Sequence, residues 1–98
     1  MSNDESSFTL PPFNADNALA QIKRSLRDLK LAERGNAFEL RGKRVVELAL
    51  EDGVIAARLA RKLALTPEWD RLTVRNANEQ RKLLEDVKKR MARWDSED

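Results

Sequence analysis

FELRGKRVVELALEDGVIAARLAR, residues 38–61, is the stretch whose reading decides the fold of this 98-residue chain. Its centre is Asp52-Gly53, a dipeptide favoured where both central residues of a hairpin loop need positive φ. With those two residues as the loop, Glu51 faces Val54, Leu50 faces Ile55, Leu48 faces Ala57 and Val46 faces Leu59. One side of the ribbon then collects Val46, Leu48, Leu50, Ile55, Ala57 and Leu59, while Glu47 meets Arg58 on the other. A slip of one residue would turn the whole apolar set to water, so this agreement is informative.

Working backwards, Phe38 and Leu40 alternate in the same sense and supply an earlier strand, joined through Arg41-Gly42-Lys43 as a three-residue loop. The competing reading is a helix over residues 54–65. Ala56, Ala57, Ala60 and Ala64 are strong helix formers, and Ile55, Leu59 and Leu63 are spaced by four. The strand is preferred because the cross-strand register satisfies many positions at once.

Residues flanking the ribbon read as helices. Before it, Ala15, Leu19, Ile22, Leu26 and Leu29 form one apolar stripe. Asn14 or Asp16 suits the N-cap, and Gly35 suits the left-handed position past the end. Lys23, Arg27, Lys30 and Arg34 form a second stripe with the same stepping, either a solvated flank or an anion-binding ridge. After the ribbon, Thr66-Pro67 breaks the chain, and residues 69–75 alternate as a fourth strand. Leu72 and Val74 point inward there, with Arg71, Thr73 and Arg75 outward and Trp69 packing at the strand's start. The last helix is capped by Asn76 with Glu79 three residues on. Its apolar seam is Ala77, Gln80, Leu84, Val87, Met91 and Trp94, widened by Leu83. Lys82, Lys89 and Arg93 lie on its far side, and Glu85 is spaced to pair with Lys88 and Lys89.

These elements predict an α+β domain of two layers: helix, four-stranded antiparallel β-meander, helix. The alternative is a mostly helical bundle with one short hairpin. Residues 1–13 read as a flexible arm, 14–94 as one compact domain, and 95–98 as an acidic tail. Ninety-eight residues suffice for one modest core.

Composition narrows the chemistry. There is no cysteine and no histidine, which removes disulfides, thiolate metal sites and the commonest general base and metal ligand. Gly42-Lys43 lacks the rest of a phosphate loop, since Ala37 stands where its first glycine belongs and Arg44 where its serine or threonine does. The carboxylate neighbours Glu51-Asp52 and Glu85-Asp86 suit a turn and a helix surface better than an acid–base pair. The expectation is a non-enzyme without cofactor, metal or small-molecule substrate. With no apolar run of membrane-spanning length and no secretory signal pattern, it is expected in the cytoplasm.

Net charge is +2, yet residues 14–94 hold 19 basic against 12 acidic residues, or +7. Such a body favours an anionic partner without specifying one. Two functions follow. The first is a small protein-interaction module, an adaptor or accessory subunit, with self-association as one form. The second is a nucleic-acid-binding protein using Lys23, Arg27, Lys30 and Arg34, with Arg58, Arg71 and Arg75 behind them. A single-strand binding face would interleave aromatics for base stacking, and no phenylalanine or tryptophan clearly joins the sheet's outer face.

Overall fold

Asn14 opens the first helix as expected. In the computed structural model, which describes residues 13–96, its side chain accepts a 3.0 Å bond from the Asn17 backbone N–H. Helix α1 runs Ala15–Asp28 and buries Ala15, Ala18, Ile22 and Leu26. It does not continue toward Gly35. Lys30 takes the left-handed conformation at φ 72, its N–H bonds the Arg27 carbonyl, and the Leu31 N–H bonds the Leu26 carbonyl. This pair of bonds is a Schellman closure, and its usual apolar contact is present because Leu26 and Leu31 both enter the core. Burial of Leu31 thus overrides the preference for glycine at the left-handed position.

Ending the helix there frees residues for an extra strand. β1 (Ala32–Arg34) pairs antiparallel with β2 (Ala37–Leu40) across Gly35-Asn36. The sheet therefore has five strands rather than four, because residues 32–34 are strand and not the last turn of a helix. β3 (Lys43–Glu51), β4 (Val54–Ala60) and β5 (Trp69–Val74) follow, and the spatial order equals the chain order.

The central hairpin has the register expected of it, with Glu51 opposite Val54, Leu50 opposite Ile55, Leu48 opposite Ala57 and Val46 opposite Leu59. Asp52 and Gly53 both have positive φ, at 50 and 77. Residues 54–60 are strand, so the rival helix and the bundle built on it are excluded. The preceding loop is shorter than expected: Leu40 pairs with Lys43, leaving Arg41 (φ 55) and Gly42 (φ 79) as a two-residue loop. Lys43 belongs to the strand because a register shift between Phe38 and Glu39 absorbs the extra residue. Val45 lies in that bulge and is fully buried.

Helix α2 (Ala77–Ser96) starts on the Asn76 cap, whose side chain accepts the Glu79 N–H at 2.8 Å. Glu79 reaches back to the Arg75 N–H at 2.8 Å, one residue beyond the reciprocal bond of a capping box. Both helices pack on the same side of the sheet. The core joins Ile22, Leu26 and Leu31 to Phe38, Val45, Val46, Leu48, Ile55, Leu59 and Val74, and to Leu83, Val87 and Trp94. Leu50, expected inside, is 43% exposed beside the loop at the sheet's end.

Two polar locks hold the layers. Trp94 Nε1 donates to the Ala60 carbonyl at 3.2 Å, and Arg90 donates to the same oxygen at 3.3 Å. Arg90 also pairs with Asp70 at 2.9 Å and Asp86 at 2.8 Å. On the other side, Gln80 bonds Gln21 at 2.9 Å and ties α2 to α1. No described helix is long and apolar enough to cross a membrane.

Candidate functional site

Strand alternation assigns every sheet residue to one of two faces. Glu33 and Asp70 point to the helices and are neutralised from them, Glu33 by Lys23 and Arg27 and Asp70 by Arg90. Their neighbours point the other way. Glu47 and Ala49 on β3, Ala56 and Arg58 on β4, and Arg71 and Thr73 on β5 line a shallow concavity of about 500 Å³ with Glu51 at its end. No described helix covers this open face.

Its floor is made of small side chains, since Ala49 stands opposite Ala56 and Ala56 opposite Thr73. One wall is the cross-strand row Glu47–Arg58–Arg71. Glu47 is ion-paired with Arg58 and also with Arg44 at 3.3 Å. The Arg58 guanidinium lies over the Trp69 ring, 5.4 Å from its centroid, a contact worth about 0.5–1 kcal/mol at such a site. Trp69 stands opposite Ala60 and on the same side as Arg71 and Thr73. The expectation that no tryptophan joins the outer face is therefore corrected. Counting back by twos from the outward Thr73 reaches Trp69, so the alternation already held this signal.

Two charges on this face make no ion pair among the described residues: Arg71 and Glu51. They have opposite sign, and they flank the alanine floor diagonally, on β5 and β3.

The basic stripe expected along the first helix does not exist as a ridge. Lys23 and Arg27 are on α1, but Lys23 also donates to the Asn36 side chain at 2.9 Å, and both are committed to Glu33. Lys30 lies in the turn after the helix. Arg34 is on β1, paired with Glu39 at 3.5 Å. Arg75 sits just before α2 and is held by Glu79 at 2.8 Å. Of the seven arginines and lysines singled out, Arg58 and Arg71 stand directly opposite each other on the open face, in the cross-strand row that Arg34 begins through Ala37 and Glu47.

A second basic row includes Lys82, Lys88 and Lys89, expected from the sequence as ordinary helix-surface charge. Arg81, Lys82, Lys88 and Lys89 are exposed on the outer side of α2 and make no ion pair among the described residues. Glu85 lies three and four residues from all four, yet pairs with none of them. Spacing licenses such pairs without enforcing them, because an exposed pair contributes only a few tenths of a kcal/mol, about 0.3–0.5.

Charge perturbation is structural here. The Arg61 guanidinium, bonded at 2.8 Å, and then Arg90 hold the Asp70 carboxyl below its ordinary range. The Arg75 side chain, with its backbone N–H, does the same to Glu79. No acid is poised as a proton donor by these shifts, which is the opposite of what a general acid needs. Among the described residues, no group of three acidic side chains converges to hold a metal ion. No protein-family model, curated protein or solved structure matches this chain.

Proposed function

We propose that this protein is a non-catalytic interaction module whose docking surface is the open face of its sheet. The observation that carries the reading is a face that no described helix covers, with a small-residue floor, an arginine–tryptophan contact and two charges at its margins that make no ion pair among the described residues. Interface cores favour tryptophan and arginine. A flat, partly apolar face of this kind takes up a protein surface more readily than a small molecule, which needs an enclosing pocket.

Photo-cross-linking in a lysate of the source cell tests it. A benzophenone amino acid placed at Thr73 should give protein adducts that the same probe at Ala92, on the exposed side of α2, does not. Equal labelling from both positions, or none from Thr73, would overturn the reading.

A second reading rests on the α2 row. Four cations that make no ion pair among the described residues span about 12 Å of helix and match the charge of a nucleic-acid backbone. Fluorescence anisotropy with labelled duplex and single-stranded DNA and RNA checks this one. Phosphate contacts predict binding that weakens steeply with salt and is lost in Lys82→Glu/Lys89→Glu. Flat curves at low salt with folded protein remove it.

A further inference from the structure

We infer that the occupant of the open face is a second copy of this chain, packed sheet to sheet about a two-fold axis near Ala56. The inference rests on the docking reading above and names its partner. A two-fold interface must be self-complementary, each patch meeting its own copy. The open face has that property in its unpaired charges.

The geometry follows from the register. Ala56 is the middle position of three: Ala49 faces it on β3 and Thr73 faces it on β5. Glu51 lies two residues beyond Ala49 along β3, and Arg71 lies two residues before Thr73 along β5. β3 and β5 run parallel to each other, since both are antiparallel to the strand between them. Glu51 and Arg71 are therefore displaced in opposite directions from Ala56, which is the midpoint of the diagonal between them. Strand spacing and rise put the two Cα atoms about 16 Å apart. A two-fold axis lying in the interface, through Ala56 and across that diagonal, sets each Arg71 over the partner's Glu51. Both unpaired charges are then satisfied twice by one operation.

The floor suits the same arrangement. Sheets pack face to face about 10 Å apart, so side chains on the inner faces must leave room for each other. Alanine at positions 49 and 56 provides it. Arg44 and Arg58 share the Glu47 carboxylate within the chain, and these three form the polar rim. A patch three strands wide is at the small end of interface sizes, so the expected association is micromolar.

Sedimentation equilibrium of the full chain, from about 1 to 500 µM, reads it directly. The expected result is a concentration-dependent rise toward twice the 11.2 kDa chain mass. Arg71→Glu and Glu51→Arg should each weaken self-association about tenfold or more, because each sets like charges in contact. Mixing the two variants should restore it as a heterodimer, with both contacts again opposite in sign, and so should the double swap in one chain. Far-UV circular dichroism confirms that each variant is folded, and both positions are exposed.

A monomer throughout the range overturns the inference. So does a dimer indifferent to both substitutions, or one that the mixture fails to restore. Adducts from the Thr73 probe separate the two failures. Adducts to a different protein overturn self-pairing and keep the docking face; adducts to residues 1–12 of the same chain overturn both.

Discussion

The two faces of this sheet use the same charged residue types to opposite ends. On the helix side, carboxylates of the edge strands are met by cations from the helices: Glu33 by Lys23 and Arg27, Asp70 by Arg90. Those pairs accompany an apolar seal in which Phe38, Ile55, Leu59 and Trp94 are fully buried. On the open side, charges pair mostly within the sheet, as Glu47 does with Arg44 and Arg58, and Arg71 and Glu51 are left over. Proximity, not burial, sets the difference: Glu33 and Asp70 stay about a third exposed, but helices carrying cations lie beside them. The open face has no described helix above it to supply such partners. An unmet charge there is tolerated by water and is ready for a ligand.

The two tryptophans break that comparison most forcefully. Trp94 is fully buried and its ring nitrogen bonds the Ala60 carbonyl. Trp69 is half-buried on the other face beneath Arg58. Trp94→Ala should cost about 3–5 kcal/mol, a large share of the stability of so small a domain. Trp69→Ala should cost roughly 1–2 kcal/mol from partial burial and the lost cation–π contact. Urea midpoints measure both. Equal losses would show that the open face is as much a part of the folding core as the covered one.

The next effect is set by pH. Asp70 and Glu79 have folded pKa values below those of their free side chains, 3.8 and 4.5. As pH falls through this range, the unfolded chain takes up protons that the folded chain refuses. Their stabilising contribution is complete above pH about 4.5 and is lost as pH drops through the folded values. The Tm of the natural chain should therefore fall more steeply below that point than the Tm of Asp70→Asn/Glu79→Gln. The two curves should be furthest apart near neutrality and converge in acid. Parallel curves would mean that these arginine contacts are not maintained in solution.

How much of this was legible in the residues depends on which force set each position. The central hairpin was readable to the single pair because a two-residue loop and a one-sided apolar pattern constrain the register together. The Asn76 cap was readable for a similar reason, and the first cap was narrowed to Asn14 or Asp16, since caps act locally. β1 was not. Residues 32–34 are exposed and hold no apolar pattern of their own, and cations at Lys30 and Arg34 continued the helical stepping. What ended the helix was burial of Leu31, a tertiary event. The candidate site divided along the same line. Alternation held the place of Trp69 on the open face, although the expectation there was no tryptophan, whereas the freedom of Arg71, Glu51 and the α2 cations depended on which exposed pairs form, and spacing alone does not settle that.

Lys30 allows the smallest and most selective test, because it belongs to neither face. It holds φ 72 at the closure of α1, where a side chain costs about 1–2 kcal/mol relative to the right-handed conformation. Glycine removes that cost, but it adds conformational entropy to the unfolded chain, returning roughly 0.5–1 kcal/mol. The balance predicts that Lys30→Gly stabilises by about 0.5–1 kcal/mol, read as a rise in urea midpoint. It should leave self-association unchanged, since the open face lies on the other side of the sheet. A loss of stability would mean that the Lys30 side chain contributes more to the folded state than its backbone strain costs.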